Sequence, residues 1–139
     1  MSQMSDYLEN YLIDVSLRGK TIDYDQRIVP YVGLYLSNPD DANTGQEVTG
    51  GGYKRQNVTF NVPVNGTTSN TSIIEFPVAT GSWGMITHVG ILSGDNVPTA
   101  EGGKGPGQLL YYGQVSTQKV VDAGDQIRIP AGNLTVTLQ

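Results

Sequence analysis

The sequence contains no cysteine and only one histidine, His88, among its 139 residues. Without thiols the chain forms no disulfides, no zinc–thiolate centre and no cysteine nucleophile. A transition-metal site would have to be built mainly from carboxylates, which disfavours one. We therefore expect neither a metal nor another cofactor.

Positive charge is also scarce, because eight Lys and Arg residues stand against 13 Asp and Glu, for a net charge of −5. The cations are scattered, so we expect no nucleic-acid partner and no anionic membrane partner. No apolar run approaches the roughly 20 residues that cross a bilayer. Residues 1–9 are polar and acidic, unlike a secretory signal, and we expect a product made in the cytoplasm.

One amphipathic helix is predicted at the N-terminus, over residues 5–18. Ser5 is a suitable N-cap, and Gly19 is suited to end the helix. Spacings of i, i+3, i+4 and i+7 align one apolar stripe, which consists of Leu8, Tyr11, Leu12 and Val15. A helix of this length is marginal alone, so the stripe packs either on its own sheet or on a neighbouring subunit.

The remainder of the chain has the pattern of short strands separated by turns. Strands are predicted at residues 31–36, 58–62, 72–76, 83–92, 109–115, 126–130 and 134–138, with another beginning at residue 119. Residues 83–92 form the longest apolar stretch, which predicts a central position, and Asn65-Gly66 is typical of a turn. We predict a mainly β fold: a single antiparallel β-sandwich (jelly-roll-like) domain over residues 1–139, with the helix at its N-terminus.

No motif indicates catalysis. His88 lies within the predicted central strand without a nucleophile or an orienting acid beside it, which favours a structural role. Asp40-Asp41 lies in a turn, where a weak calcium site is less favoured than ordinary turn chemistry. The glycines at 50–52 and 102–107 match neither a P-loop nor a dinucleotide fingerprint. A glycosidase would need two paired carboxylates, and the sequence favours no pair. We expect no catalytic residues.

Several stretches, in order along the chain, resemble a family of small bacteriophage virion proteins that are commonly labelled tail-fibre or minor structural proteins. They are residues 6–10 (DYLEN), 31–35 (YVGLY), 47–60 (EVTGGGYKRQNVTF), 82–84 (SWG), 87–91 (THVGI), 123–125 (AGD) and 129–132 (IPAG). The Gly-Gly-Gly-Tyr-x-Arg-Gln stretch is the most specific of them. The resemblance implies a virion component, made in the host cytoplasm and assembled into the particle.

The leading interpretation is a capsid decoration or cement protein that binds other virion proteins, above all the major capsid protein, and assembles as a homo-oligomer, expected to be a trimer. Helix residues Leu8, Tyr11, Leu12 and Val15 are predicted as one protein contact. Tyr53 and Arg55 of the glycine-rich loop are predicted as another, since Tyr and Arg are enriched in interface cores. The alternative is a tail, collar or fibre component, in which the tip at residues 98–107 contacts the host surface.

Overall fold

A computed structural model describes residues 3–20, 29–94 and 107–138, which leaves the tip at 98–107 outside the described residues except for Gly107. No helix within these ranges is long and apolar enough to span a membrane. The helix and strands are α1 (Asp6–Leu17), β1 (Gln3–Met4), β2 (Tyr31–Tyr35), β3 (Gln56–Asn57), β4 (Thr67–Ser69), β5 (Ile74–Glu75), β6 (Gly84–Leu92), β7 (Leu109–Val121), β8 (Arg128–Ile129) and β9 (Thr135–Thr137).

The largest sheet has five antiparallel strands in the order β1-β7-β6-β2-β3. β6 lies in the middle and pairs with β2 on one edge and β7 on the other. Its side chains Ile86, Val89, Ile91 and Leu92 are all buried. The central position expected for residues 83–92 is therefore confirmed, because a strand with two neighbours and covered faces keeps its apolar residues from water.

Two small antiparallel sheets, β4–β9 and β5–β8, complete the strand layers. One cluster of buried side chains joins all three sheets to the helix, with Leu8 from α1, Val32 from β2, Val89 from β6, Ile74 from β5 and Val136 from β9. Each such apolar side chain stabilises the fold by about 1.5–3 kcal/mol through burial. The prediction of a mainly β, antiparallel, sandwich-like fold with one N-terminal helix is confirmed.

The helix begins and ends where the sequence predicts. Ser5 is the N-cap and accepts a hydrogen bond from the Leu8 amide at 3.3 Å, and Arg18 is the C-cap. Ser5 is itself buried: its amide donates to the Leu110 carbonyl at 2.9 Å and its hydroxyl donates to the Leu109 carbonyl. The first turn of α1 is therefore fixed to the start of β7.

The Asn65-Gly66 turn is confirmed, but the strand predicted before it is not. Asn65 and Gly66 have φ angles of 53° and 76°, and Val64 and Thr67 exchange backbone hydrogen bonds across them, as in a type I′ hairpin turn. Residues 58–62 form only an isolated bridge, between Phe60 and Asn70. The alternation of apolar and polar residues predicted a strand, but the backbone hydrogen bonds extend over too few residues to form one. Pro63 has no N–H to continue them, and the turn follows immediately.

A second correction concerns β7, which is one strand of 13 residues rather than a strand at 109–115 and another from 119. It is continuous but bulged. Gln114 pairs with His88 and Lys119 with Ile86, so that residues 115–118 of β7 face Thr87 alone. We call residues 115–118 the wide bulge. Beyond Tyr112, no described strand pairs with the second edge of β7.

Candidate interaction surfaces and the glycine loop

Residues 50–56, the glycine loop, begin with three glycines in a backbone conformation that residues with a Cβ atom rarely adopt. Gly50, Gly51 and Gly52 have φ angles of 75°, 59° and 78°, in the left-handed region that favours glycine. Trp83 lies directly against the middle glycine, and its Nε1 donates to the Gly51 carbonyl at 2.9 Å. A Cβ atom on Gly51 would lie 2.8 Å from the indole ring. The triplet thus forms a tight turn packed against a buried tryptophan.

The turn directs Tyr53 into the core. Its ring stacks on Phe76 with centroids 6.1 Å apart and meets Trp83 edge-on at 5.5 Å. The hydroxyl donates to Glu47 Oε2 at 2.8 Å and accepts from the Leu34 amide at 2.9 Å. Tyr53 therefore connects the loop to strand β2 through both packing and hydrogen bonds.

Arg55 is also buried and forms an ion pair with Glu47. Arg55 Nε donates to Oε2 at 2.7 Å and Nη2 donates to Oε1 at 2.6 Å, a bidentate geometry. Both side chains are at most 1% exposed. Arg55 Nη1 also donates to the Gly94 carbonyl at 3.0 Å, just after β6. We call Glu47, Tyr53 and Arg55 the buried polar cluster.

Tyr53 and Arg55, which are predicted as a protein contact, do not lie at the surface of this chain. Both side chains are buried, and their polar atoms bond within the chain. The composition argument did not anticipate this burial, because Tyr and Arg are favoured wherever a polar group must be desolvated and fully bonded, which includes a protein interior. The stretch that is most specific to the family resemblance therefore contributes buried side chains to the core. A contact between the glycine loop and another protein stays a prediction. Sequence reasoning also missed Glu47, whose partner Arg55 is eight residues away.

Burial raises the pKa of Tyr53 and Tyr35 well above the usual tyrosine range, and the charge of Glu47 adds to both shifts. Burial and the hydrogen bond to Asp41 raise the pKa of Tyr112 to about 12. For Arg55, burial disfavours the guanidinium, but the hydrogen bonds and charge of Glu47 outweigh it and raise the pKa. The folded chain therefore holds these three tyrosines in their neutral form.

The free energy of unfolding should fall as the pH rises above about 10, where exposed tyrosines of the unfolded chain ionise. Raised tyrosine pKa values give a stabilisation that is complete below the unfolded pKa and is lost as pH rises toward the folded values, because the folded state then binds more protons. Each tyrosine contributes a slope of about 1.4 kcal/mol per pH unit. Urea unfolding midpoints across this range measure it. Tyr112→Phe should give a shallower decline, and a flat profile would contradict the prediction.

The predicted helix contact residues have different surroundings. Leu8 is buried in the core, and Tyr11 and Val15 are half-buried, whereas Leu12 is exposed. The face of α1 that points away from Leu8 carries two further apolar side chains that the sequence stripe did not include, Ile13 (51% exposed) and Leu17 (79% exposed). A contact between this helix and another protein stays a prediction, and Ile13 and Leu17 are the side chains best placed for it.

A groove of about 590 Å³ opens beside β7. Its floor consists of Leu34, Ile86 and Val89, which belong to strands β2 and β6. One wall is formed by the wide bulge and the residues next to it, and the other by residues 127–135. The groove is therefore a gap between the large sheet and the segment containing β8. Its floor is apolar, whereas its walls offer hydroxyl, amide and cationic groups.

The polar residues considered for catalysis or metal binding have local partners. His88 Nδ1 lies 2.8 Å from Thr87 Oγ1, and burial lowers the His88 pKa. The carboxylate of Asp40 accepts from the Ala42 and Thr44 amides at 2.9 and 3.1 Å, and Asp41 accepts from the Tyr112 hydroxyl. The described part of the chain contains no group of three or more potential metal ligands.

Comparison with known proteins identifies a family to which the chain is similar. No curated protein is significantly similar to the chain. The family described as Podophage GP4 fiber I protein gp80 matches residues 3–137, nearly the whole sequence. This match confirms the resemblance to phage tail-fibre and structural proteins. The chain therefore belongs to the podophage GP4 fiber I protein gp80 family.

Proposed function

We propose that this chain is a structural subunit of a podophage fibre, where it binds other virion proteins and further copies of itself. The observation that carries the proposal is the family match over residues 3–137, since the family description names a fibre. This supports the fibre location over capsid decoration, which is the leading interpretation of the sequence.

The surface chemistry supports an assembly role. Large apolar side chains are exposed on the helix, at Ile13 and Leu17, and on either side of β5, at Ile73 and Val78. Charged residues make up only 15% of the sequence, against an average of about 25%. The free energy cost of removing water is small for a surface with few charges and several exposed apolar groups. Contacts of such a surface with other subunits are therefore favourable. Absence of catalysis stays a prediction from the sequence.

Labelling of intact virions tests the location. Gold-conjugated antibodies raised against this chain should label the fibres of the phage that encodes it, and quantitative gels of purified particles should give a low copy number. An antibody against the major capsid protein is the matched control and should label the head. Label spread over the head, with the copy number of a capsid lattice, would contradict the fibre proposal and favour capsid decoration.

A further inference from the structure

The outward side of α1 combines negative charge with exposed apolar groups. Ile13 and Leu17 are i,i+4 neighbours on the side opposite Leu8, and Leu12 borders them with 38% exposure. Asp6 and Glu9 lie in the first turn of the same helix, and both are exposed. At 100° per residue, all five side chains lie within one half of the helix surface. We call them the acidic helix face: Asp6, Glu9, Leu12, Ile13 and Leu17.

The groove has the complementary chemistry. Lys119 and Arg128 both line it, and none of its described lining residues is an Asp or a Glu. Arg128 Nε lies 4.0 Å from Glu75 Oε2, but the Arg128 side chain remains 58% exposed, so it is still accessible to a further carboxylate.

The helix of the same chain does not fill this groove. Ser5 fixes the first turn of α1 to the carbonyls of Leu109 and Leu110, and Leu8 anchors it in the core. The groove lies further along β7, where Gln114 and the wide bulge begin its wall, and no described helix residue lines it. An acidic helix face and a cationic groove therefore remain on different parts of one molecule.

We propose that the acidic helix face of one copy docks in the groove of the next copy. Leu12, Ile13 and Leu17 pack against the partly exposed apolar side chains of the groove, which are Val115, Ile127 and Ile129. Asp6 and Glu9 face Lys119 and Arg128. The inference rests on the proposed function and specifies its self-association. Because the two surfaces differ, the contact is heterologous, and repetition gives a ring or an open row of subunits.

Sedimentation velocity of the full chain and of the double variant Ile13→Ser/Leu17→Ser tests the helix side. Both positions are exposed, so circular dichroism should show an unchanged fold. The wild type should self-associate, and the double variant should bind about 100-fold more weakly because two apolar side chains are no longer buried on docking. The matched control is Val62→Ser/Val64→Ser, which removes two exposed valines elsewhere and should associate like the wild type.

A mixing experiment separates this contact from a symmetric pairing of helices. Thr117→Trp places a bulky ring on the wide bulge at the groove wall and should block docking while leaving the helix intact. Mixed with Ile13→Ser/Leu17→Ser, it should form one-to-one heterodimers by native mass spectrometry, since one variant keeps a working helix and the other a working groove. If the Thr117→Trp variant self-associates like the wild type, the inference is wrong.

Introduced cysteines give an independent readout, because the chain has none of its own. Leu17→Cys/Thr117→Cys should form disulfide-linked dimers and longer ladders under mild oxidation. Leu17→Cys/Val62→Cys is the control and should give markedly less ladder. Cross-linking within one chain, or none, would overturn the inference. Either result would leave the fibre location to be decided by virion labelling, so the two proposals fail separately.

Discussion

Replacing Arg55 with methionine should lower the free energy of unfolding by about 3–5 kcal/mol, because it leaves the Glu47 carboxylate buried without its charge partner. The Glu47 side chain is 1% exposed and loses two of its hydrogen-bond donors, at 2.6 and 2.7 Å. Methionine retains most of the aliphatic volume, so packing changes little. Urea denaturation followed by tryptophan fluorescence measures the change, since Trp83 reports on the adjacent glycine loop.

Arg128→Met is the matched control for this prediction. Its ion pair with Glu75 is 4.0 Å long, with both side chains at least half exposed, and such pairs contribute about 0–1 kcal/mol. The double variant Glu47→Gln/Arg55→Met should recover part of the loss, because it removes the buried negative charge as well. Equal destabilisation by Arg55→Met and Arg128→Met would show that the buried polar cluster does not stabilise the fold.

Gly51→Ala should be the second large destabilisation, by about 2–5 kcal/mol. An alanine at a φ of 59° costs about 1–2 kcal/mol of backbone strain. The new Cβ would also lie 2.8 Å from Trp83, and displacing a packed core side chain costs about 1–3 kcal/mol. The measurement is again the urea midpoint, and the tryptophan emission should shift as the indole moves.

Gly50→Ala is the matched control that measures the backbone strain alone, so its difference from Gly51→Ala gives the steric part. Gly50 has a similar φ of 75°, but a Cβ there would meet no atom within 4 Å. It should therefore cost only the backbone strain, about 1–2 kcal/mol. If the two alanine variants are equally stable, the contact between Gly51 and Trp83 does not constrain the loop.

The local features of this fold were predictable, because each is determined by residues close in sequence. The N-cap Ser5, the i,i+4 pattern of α1 and the Asn65-Gly66 turn all belong to this class. The long apolar run of β6 similarly indicated its central position. In each case the sequence pattern and the structural element that it predicts lie within the same short segment.

The buried polar cluster could not be predicted, because it depends on which distant segments meet. Glu47 and Arg55 are both charged residues in a glycine-rich stretch, which on average lies in solvent. Their burial depends on the contact of Tyr53 with Leu34 in β2 and of Arg55 with Gly94 after β6. The groove could likewise not be predicted from the sequence, because its walls come from two separate segments, β7 and residues 127–135.

The wide bulge of β7 has a consequence for how copies can meet. An open strand edge is a template on which another chain can add a strand, and regular lengths of such edge promote amyloid-like stacking. Residues 115–118 interrupt the regular pleat of this edge, so an incoming strand could follow it over only short stretches on either side. Strand addition from a neighbouring copy is therefore disfavoured along this edge of β7.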